Sequence, residues 1–308
     1  VRTAAFAYRN AMRGFASQRN LEVWYARLDI ENALAEVEAE DPKAARKARK
    51  NIEKARGKDS LRALERLTER VDGEVRFRSE PPLLVPVEEI ASGASSQDVE
   101  GVLTRVLAAY RETLEPARRR LLDGYRFRQI ARKVVGVGSV GTRAWVLLLT
   151  GVDDGDPLFL QAKEAQVSVL EPYAGAGRYR NHGRRVVEGQ RLMQAASDIF
   201  LGWCPAIGFD GRERDFYVRQ LWDWKRSADV ERLTPRGVEV YARMCGWTLA
   251  RAHARSGDRI AIASYLGAGV AFDEAIVDFS EAYADQNERD HEALLAAIDS
   301  GRLASVDA

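Results

Sequence analysis

Between Tyr125 and Leu221 apolar and polar positions alternate in short runs, whereas on either side they recur every three or four residues. The run YRFRQIARKVVG reads as a strand. TRAWVLLL reads as a second, after a glycine-rich turn, and PLFLQAKEA as a third, beyond the turn TGVDDGD. HGRRVVEGQRLMQAAS then places Val186, Val187, Gln190, Met193, Gln194 and Ser197 on one side of a helix. Two further strand candidates, DIFLGWCPAIG and RDFYVRQLW, flank the turn FDGRER. The pattern predicts a small five-stranded antiparallel sheet with one helix between its third and fourth strands.

The flanks predict helices. VRTAAFAYRNAMRGFA puts Ala4, Ala7, Tyr8, Ala11, Met12 and Phe15 at helical spacing with no cap before them, so the chain is expected to begin inside an element. LEVWYARLDIENALAEVEAE carries an apolar stripe. DPKAARKARKNIEKARGKDSLRALERLTERV opens on an acidic cap and a proline, the usual start of a helix. SEPPLLVPVEE, Ser79 to Glu89, is too rich in proline for a central strand and reads as an extended connector. A helix is expected from Asp98 to about Leu122, and others in GVEVYARMCGWTLARAHARSGD and AFDEAIVDFSEAYADQNERDHEALLAAIDSG. The expected class is α+β: a helical segment over 1–124, a β lobe over 125–221 and a helical segment over 222–308, the two helical segments packing together as a second lobe.

The 308 residues, 46% of them hydrophobic, suffice for a large core, and at roughly 150 residues per domain they suggest about two lobes. Forty-seven Lys and Arg against 46 Asp and Glu leave a net charge of +1, so no global field draws the chain to nucleic acid or an anionic membrane. The basic stretch Lys43 to Lys58 is read as a solvated helix face, because Glu53, Asp59, Glu65 and Glu69 interleave with it and it has no aromatic residues. Cys204, Cys245, His182, His253 and His291 show no metal-ligand spacing. No apolar run reaches the ~18 to 20 residues of a membrane span and no signal-peptide layout opens the chain, so a cytoplasmic protein is expected.

The chemistry concentrates in Gly136-Val-Gly138-Ser139-Val-Gly141. A dinucleotide-binding unit needs a helix directly after such a hexamer and an acidic residue about 20 positions on, at the end of a second strand. Thr142 to Leu149 reads instead as a strand, and Asp153, Asp154 and Asp156 fall in a turn. A Walker-type loop needs Lys and then Ser or Thr after the last glycine, where this chain has Thr142-Arg143. What remains is a glycine-rich hairpin lying over phosphates, with its lysine supplied by the next strand. Lys163, among Leu160, Ala162 and Ala165, is that lysine, expected to bridge the α- and β-phosphates of a nucleotide. Glu188, on the intervening helix, is the expected carboxylate partner and Glu171 the second choice; Glu164 must point to the opposite face. Backbone groups from Gln220 through Leu221 to Trp222 are candidates to face an adenine. Trp222 and Trp224 read as packing residues, His253 as a core or interface histidine, and Cys245 as a buried small hydrophobe.

The stretches RNLEVWYARLD, ARKVVGVGSVGTRAWVLLL, LFLQAKEA, SVLEPY, VVEGQRLMQAASDIFLGW, DFYVRQLWDWK and CGWTLARAHARSGD resemble an uncharacterised bacterial family, domain of unknown function 2252. Through it they resemble the protein-kinase-like and aminoglycoside-phosphotransferase-like fold. The resemblance implies ATP and magnesium as cofactors, phosphoryl transfer to an unknown acceptor, and a permuted order of motifs. It also exposes a departure. No catalytic aspartate with its asparagine, nor a metal-binding aspartate, follows LARAHARSGD: Asp258 lacks a downstream asparagine, Asp278 lies in a helical run, and Asn287 stands in DQNERD. In the family, sequences resembling G-D-x-H-x-x-N-F and D-x-N-D-F-D precede the matching part, which implies that this chain is truncated at its N-terminus and lacks the catalytic groups. The expectation is a phosphotransferase in full-length form, with a non-catalytic, pseudokinase-like nucleotide-binding or interaction module as the rival.

Overall fold

The computed structural model describes residues 1–28, 60–90, 96–134, 136, 141–208, 211–221 and 230–305, with isolated positions 35, 38, 46, 49 and 50. Gly138, Ser139, Trp222, Trp224 and most of the basic stretch Lys43 to Lys58 lie outside the described residues. The chain divides into two compact units, one formed by 1–51, 192–195 and 227–308, the other by 52–191 and 196–226.

The second unit is built on an antiparallel sheet in the order β3-β4-β5-β6-β8-β7, with β3 Leu84–Pro86, β4 Arg126–Lys133, β5 Ala144–Thr150, β6 Pro157–Ala165, β7 Gly202–Ile207 and β8 Glu213–Gln220. The sheet has six strands where the sequence predicts five. The extra strand is the proline-rich connector, whose Leu84, Val85 and Pro86 pair with Lys133, Arg132 and Ala131. A proline has no N–H for a second neighbour, so this segment fits at the edge of the sheet and not at its centre. The segment expected to run on as helix to Val71 also turns to strand. After the helix Ser60–Leu67, β1 Thr68–Val71 and β2 Glu74–Phe77 form a separate hairpin. Asp72 and Gly73 both take positive φ at its tip, the two-residue turn that Asp-Gly favours. The helix expected over 98–122 breaks into Ser96–Glu112 and Pro116–Leu122, where Pro116 starts a new element.

Both faces of the large sheet are covered. On one, Ile130, Leu147, Leu149, Leu158, Leu160, Cys204, Phe216 and Val218 pack with Val87, Tyr110 and Leu114. On the other, Ala131, Val146, Leu148, Phe159 and Leu221 pack with Ala63, Leu67, Phe77 and Leu84. This compact unit begins at Ile52, well before the boundary at Tyr125 read from the strand pattern.

The first unit is helical: Arg2–Ser17, Asn20–Tyr25, Pro235–Ser256, Arg259–Leu266 and Ala271–Asp299. Met12, Phe15, Val23, Ala250, Ala254 and Leu266 form its core. Gly246 lets the first helix close on Pro235–Ser256, because a Cβ there would strike the carbonyl of Ala4. The neighbouring Cys245, expected to be buried, is exposed. One residue round a helix is a 100° rotation, and Gly246 takes the packed direction. His253 is a packing histidine, with the Tyr8 hydroxyl 2.8 Å from its Nδ1. No single described helix is long and apolar enough to cross a membrane.

Arg9 is buried in this helical unit with Asp273. Its Nε donates to Oδ1 at 3.0 Å, its Nη2 to Oδ2 at 2.7 Å, and its Nη1 to the carbonyl of Ala268 at 3.0 Å. Removing one partner of such a pair strands the other as a buried charge. Asp273→Asn is therefore expected to destabilise the protein by about 3–5 kcal/mol, and the double variant Arg9→Met/Asp273→Leu by much less. Urea denaturation of the three proteins checks this.

Candidate functional site

The site is built by strand alternation. Along β6, Leu158, Leu160 and Ala162 enter the first core, so Phe159, Gln161 and Lys163 must take the other face. Along β8, Phe216 and Val218 take the first face and Tyr217 and Arg219 the second. Register aligns them, since Gln161 lies opposite Arg219 and Lys163 opposite Tyr217. Four polar side chains thus interrupt a face that Val146, Leu148, Phe159 and Leu221 otherwise make apolar.

The glycine hexamer joins the ends of β4 and β5, and Ala144, at the start of β5, pairs with Lys163. Gly136 and Gly141 have φ of +102° and +79°, values that a side chain would strain. The residues after the hexamer form a strand and no helix, so the dinucleotide-binding arrangement is excluded.

Lys163 is partly buried and forms no hydrogen bond or ion pair among the described residues. Burial, and after it the positive Arg219, pushes its ammonium below the ordinary lysine range. Among the described residues Arg219 makes one side-chain hydrogen bond, Nη2 to the Gln161 Oε1 at 3.4 Å, and its Nε is buried without a partner. Burial pushes the Tyr217 phenol up while Arg219 draws it down. Lys133, at the end of β4, is depressed by burial and by Arg66, with Glu80 opposing. A carboxylate therefore acts on Lys133, whereas no carboxylate is among the causes that depress Lys163.

Glu188 does not meet Lys163. The helix His182–Met193 is anchored by Asp215, which accepts hydrogen bonds from the Asn181 amide and, at 2.7 Å, from the His182 backbone N–H. Gly183, whose Cβ would strike the carbonyl of Phe216, and the buried Val187 set its sheet-facing stripe. Glu188 stands 100° beyond Val187 and pairs at 3.5 Å with Arg191, whose guanidinium lies over Trp203 and donates to the carbonyl of Leu201. Glu171, the second choice, accepts locally from the Ser168 N–H at 3.5 Å.

Glu164 faces away from Lys163, as alternation requires. Burial would raise it, but hydrogen bonds from Gln166 and from the backbone and side chain of Arg143 prevail and hold its carboxyl low. At Gln220 and Leu221 the backbone N–H groups are already used. The first donates to the Asp198 Oδ2 at 2.5 Å and the second to the carbonyl of Phe159 at 2.9 Å. These two donors are therefore not presented to an adenine in this conformation.

Because folding depresses Lys163, its charged form penalises the folded state at every pH below the folded value. That penalty is relieved as pH rises through the depressed range to the ordinary 10.5. Lys163→Met is expected to melt higher than the wild type at pH 7, with the difference narrowing as pH approaches 10.5. Parallel thermal melts across that range test it.

No curated protein and no solved structure matches the chain. The model of a bacterial family matches residues 1–297, nearly the whole length, and its members share the description "Uncharacterized protein conserved in bacteria". The glycine hairpin, Lys163 and the Asp215-anchored helix all fall within that match, and the chain belongs to this family, DUF2252.

Proposed function

We propose that the β unit holds the phosphate chain of ATP, as the nucleotide-binding lobe of a kinase-like phosphotransferase whose acceptor is unknown. The observation that carries the reading is Lys163, a partly buried ammonium with no carboxylate partner among the described residues, on the strand that follows the glycine segment. Its support is positional as well. The hairpin strands come first and second, the lysine strand third, a helix follows, and the fifth strand of the meander inserts between third and fourth. Side-chain-free glycines allow backbone N–H groups to approach phosphate oxygens, while a fixed cation supplies charge without reorganisation at the moment of transfer.

The same residues limit what the lobe does by itself. Lys163 and the glycines fit a phosphate chain. Among the described residues no three carboxylate, histidine or cysteine side chains converge as a metal site. This chain's part in the reading is to bind and orient the nucleotide, and magnesium would arrive on the phosphates.

A second reading, a non-catalytic nucleotide-binding module, is favoured by one observation. Arg191 occupies Glu188, the carboxylate expected to hold the lysine in an active enzyme.

ATP with magnesium is expected to raise the melting temperature of the wild type, and Lys163→Ala to abolish that rise. An equal rise in Lys163→Ala would remove the lysine from the site. Hydrolysis of ATP by residues 1–308 would decide for the catalytic reading over the module, and binding without turnover would decide the reverse.

A further inference from the structure

A sheet face that carries charge must satisfy it. On this face Lys163 and Arg219 lie on adjacent, directly paired strands as diagonal neighbours, Arg219 standing two residues beyond Tyr217, the partner of Lys163. Neither has an ion pair among the described residues, and the Nε of Arg219 is buried with no acceptor. Two like charges brought together and partly withdrawn from water, with a buried donor unused, destabilise the fold unless an anion completes them. Several other arginines of this unit meet a carboxylate: Arg143 and Arg214 share Glu164, Arg111 holds Asp123 at 2.7 Å, and Arg191 takes Glu188, although its Nε and that of Arg185 are also buried without an acceptor. The pair also lies beside Tyr217, whose hydroxyl has no hydrogen bond among the described residues, and Gln161, whose amide oxygen accepts from Arg219 on the face at 3.4 Å. Ala144, opposite Lys163, keeps the adjoining position on β5 free of a bulky side chain.

We infer that Arg219 is the second cation of this site, and that with Lys163 it binds the phosphate chain of a polyphosphate through two separate charged contacts. Tyr217 and Gln161 frame the contact, one as a hydroxyl donor and the other by orienting the guanidinium. The inference rests on the reading of Lys163 as a phosphate ligand, but it requires no nucleoside. An anion of two or more charges satisfies both cations, whereas a singly charged one leaves the repulsion between them. The site therefore discriminates by charge number, favouring tripolyphosphate and pyrophosphate over chloride or acetate.

The probe is inorganic tripolyphosphate, added to the full chain without magnesium and followed by calorimetry and thermal melting. The wild type should bind it, and Arg219→Gln and Lys163→Gln should each weaken binding about tenfold or more. Arg219→Lys should recover part of the loss. Arg126→Gln, an exposed arginine at the opposite end of the sheet, should bind like the wild type. Circular dichroism of each variant confirms the fold. Binding at alkaline pH should also take up protons, because an anion restores the depressed Lys163 ammonium, and a purely structural arginine would not change that uptake on substitution.

Unchanged tripolyphosphate affinity in Arg219→Gln overturns the inference, as does an equal loss in Arg126→Gln. If ATP binding depends on Lys163 and not on Arg219, the nucleotide reading stands and this inference falls. If tripolyphosphate binds through both cations while ATP does not, the inference stands and the nucleotide reading falls. No binding of either ligand removes both.

Discussion

Covering both faces of one antiparallel sheet is the constraint from which the site follows. Each strand residue has two directions available, and both lead into packed material. Once Leu158, Leu160, Phe216 and Val218 are committed to the first core, Gln161, Lys163, Tyr217 and Arg219 cannot turn to that side without burying charge among leucines. The pairing of Gln161 with Arg219 and Lys163 with Tyr217 then gathers four polar side chains from two strands into one patch. The patch lies at the end of the sheet where β4 and β5 are joined by the glycine segment. No helix end or loop need be placed accurately to assemble it. Sheet register alone brings the two cations together.

The strands were legible because their signal is local. Runs such as AWVLLLT and PLFLQAKEA have the apolar, β-branched texture of buried strands, and turns at Asp153–Asp156 and around Gly211 punctuate them. Where local signals competed, the reading failed in identifiable ways. The helix-like charge pattern of residues 41–71 overran an Asp-Gly turn that starts a hairpin, although Asp72-Gly73 was present to be read. Prolines argued against a central strand in Ser79 to Glu89 and left open the edge position that Leu84–Pro86 occupies. On the first helix, the buried stripe runs through Ala5, Arg9, Met12 and Phe15 and not through Ala4 and Ala7. A charged residue at the centre of a buried stripe disguises its phase. Only the partner Asp273, 264 positions away, makes that burial tolerable, and no sequence window contains both.

The site divides along the same line. Lys163 stood out because its neighbours are apolar, which is a local property. Glu188 is the carboxylate that chain order offers, and chain order does not specify rotation about a helix axis. That rotation is set by Gly183 against the backbone of Phe216 and by Asp215 capping the helix start, contacts between segments about 30 residues apart. Arg219 is hidden in the sequence for a complementary reason. In RDFYVRQLW an arginine alternating with valine and phenylalanine reads as the solvent side of a half-exposed strand. Its burial appears only when β8 is inserted between β6 and β7 instead of lying at an edge.

The engagement of Glu188 by Arg191 bears on the electrostatics of the face. A carboxylate beside Lys163 would neutralise it and lower the cost of its burial, but an incoming phosphate would then compete with a fixed negative charge. In the proposed site, Lys163 and Arg219, with no ion pair among the described residues, would reverse the balance: the ligand-free fold would bear the repulsion, and a polyanion would relieve it on arrival. Such a site binds its ligand more tightly for the stability that it gives up, because only the bound state has its charges satisfied. Arg191, held by the Leu201 carbonyl and stacked on Trp203, is fixed independently of Glu188 and so can retain that carboxylate without help from Lys163. Helix orientation and sheet register thereby act together to keep Glu188 engaged by Arg191 and to gather Lys163 and Arg219 on one face, the arrangement that the proposed phosphate site requires.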